Sequence, residues 1–243
     1  MPEGQYVYCI IGTGEARNFG PIGIGGRGDP VTTIAYKDLG AVVSNVPMTK
    51  YVVSKETMVA HEKVLEAVMR DHTLLPVRFY IVAPSAEEIR SLLRRRYFEF
   101  KKLLRALDNK VELGLKALWK DMGVIFQEIA RANVATKASG DMMGGGSAKG
   151  AGSKKLKVAL EQKRVEEREV LLQPLRSLAA VSCLNTTYGD GMLMNAAFLV
   201  DRTREKEFDL EVGKLAARFS DRIEFKYVGP APPYSFVNIV VKE

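Results

Sequence analysis

The sequence predicts an α+β fold in two domains, and three observations carry that prediction. Residues 1–108 read as three strands, a helix, a strand and a helix, so strands cluster instead of alternating strictly with helices. From residue 110 the order becomes strand, helical excursion, strand, hairpin partner, helix, strand, which is the βαββαβ of a ferredoxin-like unit with a long helical insertion and one trailing strand. The 243 residues, 47% hydrophobic and 27% charged, suit a globular chain of one large or two small domains. The expected boundary lies near Asn109: an N-terminal α+β domain over 1–108 and a ferredoxin-like domain over 109–243.

Tyr6–Ile11 (YVYCII) is dense in β-branched and aromatic residues and predicts the first strand. A glycine-rich loop follows, and Val31–Tyr36 and Ala41–Val46 form a hairpin through Lys37, Asp38, Leu39 and Gly40. Ser54 is placed to cap a helix over 54–72 whose apolar positions are Met58, His61, Leu65, Val68 and Met69. Leu74–Val82 reads as a strand that begins at Pro76 or lies at an edge there, because proline has no ladder donor. Ser85 and Glu88 make a capping box for a helix from Ala86 to about Leu107.

Lys110–Trp119 alternates as a strand does, and Asp121 caps a helix over about 122–135. Ser139–Ser153 (SGDMMGGGSAKGAGS) has no apolar period and too little surface to bury, which predicts a flexible loop. A charged helix over about 154–179 follows, with Pro174 as the expected kink. Gly189-Asp-Gly191 joins strands 181–188 and 192–201 in a hairpin. Thr203 caps a helix with an apolar face of Phe208, Val212, Leu215 and Phe219. Strands over 222–228 and 234–241, separated by Gly229-Pro-Ala-Pro-Pro233, close the chain.

No apolar run approaches the roughly 18 residues needed to cross a bilayer, and the first residues, Met-Pro-Glu-Gly, lack the pattern of a signal peptide. A cytoplasmic protein that contacts no membrane is the expectation. Cys9 and Cys183 sit far apart in apolar runs and are expected to be buried free thiols. The net charge of +7 admits an acidic partner, although its largest excess falls around the glycine-rich middle segment, where lysines serve solubility.

Motifs for catalysis or metal binding are weak. Gly23-Ile-Gly-Gly-Arg-Gly28 matches G-x-G-x-x-G, but Asp29-Pro30 and a β-branched run follow where a phosphate-binding helix would have to open. His61 and His72 lie about 16 Å apart along a helix, too far to share a metal, so His61 is expected to be a satisfied, partly buried residue. No nucleophile motif surrounds any serine or cysteine. No enzymatic activity, cofactor or metal site is therefore expected. The helix RSLLRRRYFEFKKLLRAL carries a basic face (Arg90, Arg94, Arg95, Arg96, Lys101, Lys102, Arg105) that reads first as a solvated face on a domain-packing helix. Pro233–Ile239 partly matches the aromatic strand of an RNA recognition motif, without its leading basic residue, glycine and last aromatic; nucleic-acid binding is the alternative function.

The chain resembles the GvpF/GvpL family of gas vesicle proteins through nearly its whole length. The resemblance rests on Tyr6-Val-Tyr8, His61-Glu62 followed by Leu74-Leu-Pro-Val-Arg-Phe79, Val111–Trp119, Met194–Val200 and Gly229–Val237. Family members more often carry Arg-Phe-Gly-Thr where this chain has Arg78-Phe-Tyr-Ile81, and Gly-Pro-Trp-Pro-Pro where it has Gly229-Pro-Ala-Pro-Pro233. The resemblance implies a non-catalytic accessory or minor structural protein of gas vesicle formation, one that binds the small hydrophobic shell protein and other accessory gas vesicle proteins. It also implies a place on the gas-facing side of the shell. Pro232, Pro233, Tyr234 and Phe236 are the candidate partner-binding residues, because prolines rigidify a segment arriving at a sheet edge and alternation would send both aromatics to one face.

Overall fold

The first strand, β1 (Glu3–Ile11), is buried almost throughout, because it sits inside an antiparallel sheet. Its neighbours are β3 (Leu39–Pro47) on one side and β4 (Leu74–Pro76) and β5 (Val82–Ala83) on the other, with β2 (Thr32–Tyr36) outside β3. The computed structural model describes residues 3–48, 54–138, 149–237 and 239, with backbone alone at 133–138 and 149–153. The architecture is α+β, with antiparallel sheets in two compact units: Met1–Glu112 with Pro230–Glu243, and Leu113–Gly229.

In the first unit, a register shift between Val7 and Cys9 makes Tyr8 an extra residue in β1. The bulge moves the alternation by one, so Tyr6, Tyr8, Cys9 and Ile11 all join one core cluster with Val64, Leu65 and Val68 of α1 (Lys55–Met69). Ser54 caps α1 as expected and forms a full capping box with Thr57. The buried face of α1 is His61, Val64, Leu65 and Val68; Met58, expected on that face, is 52% exposed.

Two elements of this unit depart from expectation. The single strand expected over 74–82 is split, because the chain leaves the edge of β1 after Pro76 and returns at Ile81, whose carbonyl accepts from Val7 N at 2.9 Å. Tyr80 lies in this excursion at φ 84°, in the left-handed region that glycine occupies without penalty, and its N–H donates to Tyr6 Oη at 3.1 Å. The expected helix over 86–107 is two helices, α2 (Ala86–Arg95) and α3 (Tyr97–Ala106), broken at Arg96. Arg96 takes φ −107° and ψ 20°, and its guanidinium grips Glu99 through two bonds of 2.6 and 2.8 Å.

The second unit follows the order β6 (Lys110–Trp119), α4 (Met122–Ala138), α5 (Lys149–Arg176), β7 (Val181–Leu184), β8 (Met192–Asp201), α6 (Glu205–Arg218) and β9 (Ile223–Ala231), with a β7-β8-β6-β9 sheet. Along β6 the odd-numbered residues Val111–Trp119 are buried and the even ones are not, as its alternation predicts. Asp121 caps α4 through Gly123 and Val124 N–H groups. Thr203 is not the cap of α6: it lies in a 3₁₀ turn, Arg202–Arg204, where Asp201 Oδ1 accepts its N–H. Of the loop expected over 139–153, residues 139–148 lie outside the described residues, while 149–153 are helical and open α5. Cys183, expected to be buried, is only half-buried because β7 is an edge strand; Cys9 is fully buried.

The C-terminal segment departs most from expectation. Residues 234–236 form a turn instead of a strand, and 238 and 240–243 lie outside the described residues. Residues 230–243 group with the first unit, whereas chain order had placed them with 109–229. Side chains explain this: Tyr234 and Ser235 bond to Glu62 and Glu112, and Val237 and Ile239 are 9% and 1% exposed.

Candidate partner interface

Beyond β9 the backbone is steered by two buried prolines, Pro232 and Pro233. Their carbonyls accept from Tyr234 N at 2.7 Å and Phe236 N at 3.1 Å, which closes the turn and pushes residues 234 and 235 outward. Tyr234 is 38% exposed and Phe236 half-buried. Two carboxylates then fix the turn. Tyr234 Oη donates to Glu62 Oε1 at 2.9 Å, and Ser235 donates through both N and Oγ to the two oxygens of Glu112, each at 2.7 Å.

The turn borders an open depression of about 490 Å³ lined by Pro76, Arg78 and residues 234–237. A second hollow, about 740 Å³, follows the outer face of α1 past Met58, Val59, Glu62, Lys63 and Glu66. The Tyr234–Glu62 bond joins the two, since each residue lines one of them. Met58 and Val59, 52% and 59% exposed, supply apolar surface in the second hollow, whose Glu62 holds Tyr234. Burial pushes the Glu62 and Glu112 carboxyls above their ordinary range, partly opposed by Tyr234 and Ser235 respectively. Burial and the adjacent Glu62 raise the Tyr234 phenol, so it stays a donor.

The four residues expected to bind a partner are thus divided. Pro232 and Pro233 are internal supports, while Tyr234 and Phe236 line one depression, brought there by a turn and not by strand alternation. Glu62, Glu112, Met58 and Val59 were not foreseen in this role. The helical period sets Met58 near His61 and Leu65, so its exposure could not be read locally, and nothing local marks the two carboxylates, which lie 172 and 123 residues from their partners.

The remaining sequence candidates resolve structurally. Gly23–Gly28 is a loop folded onto the sheet, with Ile24 N donating to Tyr8 Oη at 2.8 Å and Arg27 held by Asp29. His61 is 1% exposed and bonded through Nδ1 to Tyr6 Oη at 3.0 Å, while Nε2 has no hydrogen-bond partner; burial lowers its pKa to about 4. It is therefore more buried and less fully satisfied than expected. His72 meets only the edge of Phe19 among aromatic rings, and no group of three His, Cys, Asp or Glu able to hold a metal occurs among the described residues. No described helix is long and apolar enough to cross a membrane.

Comparison with known proteins gives these features a family context. The chain is 30% identical over 243 residues to gas vesicle protein F of a Streptomyces species, covering 96% of this chain and 99% of the relative. It is 27% identical over 242 residues to gas vesicle protein F1 of Halobacterium salinarum, covering 98% and 95%. The fold matches the crystal structure of GvpF from Microcystis aeruginosa with a TM-score of 0.82 at 24% identity, over 97% of this chain and 99% of that one. The family model for gas vesicle synthesis protein GvpL/GvpF matches residues 4–238, and the chain belongs to that family, with a role tied to gas vesicles.

Proposed function

We propose that this protein binds the gas vesicle shell protein and other gas vesicle proteins during vesicle formation, as an accessory or minor structural component on the gas-facing side of the shell. The contact proposed is the C-terminal turn, with Tyr234 and Phe236 presented by Pro232 and Pro233. The observation that carries this reading is the pinning of the turn that bears both aromatics, by one hydrogen bond from Tyr234 to Glu62 and two from Ser235 to Glu112. An aromatic held in one rotamer loses little entropy on binding, which is why rigid Tyr and Phe make good anchors. The exposed Met58 and Val59 extend the same apolar region. The nucleic-acid alternative loses its main support, because Tyr234 and Phe236 lie in a turn and present no stacking strand.

The test is a Tyr234→Ala/Phe236→Ala double variant, checked for a native circular dichroism spectrum and melting temperature, then assayed for pull-down of the shell protein. Folded protein with binding reduced at least tenfold is the expected result. Full retention of binding overturns the proposal. A Met58→Ser/Val59→Ser variant, altered only at exposed positions, provides the second reading should the first not fold, and it too is expected to weaken capture.

A further inference from the structure

We propose that the outer face of α2 and α3 is a second, separate docking surface, whose occupant is an acidic amphipathic helix of a partner protein. The argument starts from Phe98, which is 85% exposed, more than any other large hydrophobic side chain among the described residues. An apolar side chain held out to this degree buries little surface in the fold, and among the described aromatic rings it meets the edge of Tyr97 alone, at 5.3 Å. The break at Arg96 positions it: α3 starts afresh at Tyr97, with Phe100 and Leu104 inward and Phe98, Lys102 and Arg105 outward. These three outward residues have i, i+4, i+7 spacing and form one row about 10 Å long.

Charge identifies the partner. The nearby carboxylates are already engaged: Asp38 accepts from Lys101 and Tyr97, and Glu99 from Arg96. Lys37, Arg94, Arg95, Lys102 and Arg105 form no ion pair among the described residues; Lys37 lies over the Tyr36 and Tyr97 rings, and Arg95 touches Ser91. The face therefore presents an aromatic anchor in one row with two uncompensated cations, Lys102 and Arg105, with Lys37 over the neighbouring Tyr97 ring and Arg94 and Arg95 exposed just before the break. A lipid surface would require more apolar side chains at the level of Phe98. A single-stranded nucleic acid would require a groove with several stacking rings, and a helix offers a convex face. A partner helix with a row of carboxylates beside an apolar stripe matches this face, the carboxylates meeting the cations and the stripe meeting Phe98. This inference does not depend on the C-terminal turn, which lies on other residues.

The test uses the full chain and a fluorescein-labelled amphipathic peptide probe bearing Glu at i, i+4 and i+7 beside leucines, read by fluorescence anisotropy. A matched peptide with Lys in place of Glu is the control. The acidic peptide is expected to bind, with at least tenfold loss for Phe98→Ala. The Arg94→Glu/Lys102→Glu/Arg105→Glu variant is expected to switch preference to the basic peptide, a gain that misfolding cannot produce. A Lys154→Glu/Lys155→Glu/Lys157→Glu variant, which alters the same charge on exposed positions of α5, is expected to leave binding unchanged. Equal losses at the two triple variants, or an unaffected Phe98→Ala, overturn the proposal. Tighter binding to phosphatidylserine vesicles or to a single-stranded oligonucleotide than to the peptide overturns it as well.

Discussion

The two units bury polar groups in opposite ways. In the first, Tyr6, Tyr8, Ser44 and His61 form a neutral set: Tyr8 Oη meets Ser44 Oγ at 2.8 Å, Tyr6 Oη meets His61 Nδ1, and the rings of Tyr6, Tyr8, His61 and Phe79 pack edge to face or tilted. In the second, the half-buried centre is ionic. Arg222 makes a bidentate pair with Glu128 at 2.8 Å per bond and also reaches Glu167, which Lys163 and the Trp119 indole join. The difference follows from access to water. A fully enclosed site tolerates hydrogen-bonding groups only if they stay uncharged, whereas partly wetted carboxylates keep their charge when cations surround them.

The largest consequence is in acid. His61 titrates near 6.5 when unfolded and near 4 when folded, so the unfolded chain takes up a proton that the folded chain refuses. Its contribution to stability is complete above pH 6.5 and is lost as pH falls through 4. The shift corresponds to about 3 kcal/mol at most, and roughly 2–3 kcal/mol should disappear between pH 7 and pH 4.5. Glu128, held near 2 by Arg222 and then Lys163, loses its contribution in the same direction but in a lower window: it persists down to the ordinary carboxylate value and fades only below it. Urea melts of wild type and His61→Phe at both pH values test the contrast; equal slopes in the two proteins would refute the assignment.

Next in size is Arg222→Met, which leaves Glu128 and Glu167 to share Lys163 as their remaining cation among the described residues. We expect a loss of about 2 kcal/mol, below the full cost of a buried pair because the side chains are 20–32% exposed. Adding Glu128→Gln should restore part of it; a double variant no more stable than the single one would show that the network is not coupled through charge.

A smaller effect probes the excursion after β4. At an ordinary site glycine is less stable than alanine, but at Tyr80 the φ of 84° reverses the order. Tyr80→Gly is expected to be about 1 kcal/mol more stable than Tyr80→Ala in chemical denaturation. The opposite ranking would show that the backbone relaxes there. Smallest of all, Tyr234→Phe removes the bond to Glu62 and should cost about 0.5–1 kcal/mol.

How legible these regions were in the sequence depends on how far the deciding partner lies along the chain. The alternation of Lys110–Trp119, the Ser54 cap and the Asp121 cap depend on neighbours and could be read directly. The break at Arg96 could not, because the apolar period runs on through it and only the grip on Glu99 and the ring of Phe100 mark the stop. Arg78-Phe-Tyr-Ile81 reads as strand by propensity, yet the Tyr6 hydroxyl draws it off the edge. Residues 149–153 include two glycines and are nevertheless helical, as the first turn of a helix whose later residues pack. In the proposed contact, the two aromatics were legible as residue types, whereas the support of their turn was not, since Glu62 and Glu112 belong to distant elements.

The clasp of Ser235 on Glu112 also bears on the order in which the protein is made. Residues 113–229 form one uninterrupted stretch, so that unit has all its contacts available once position 229 has cleared the ribosome. The other unit joins residues on both sides of that stretch and has to wait for residues 230–239 before Pro232, Pro233, Val237 and Ile239 can be buried. The unit whose synthesis starts earlier is therefore the unit completed later, and the turn carrying Tyr234 and Phe236 assembles only after residues 113–229 have been made.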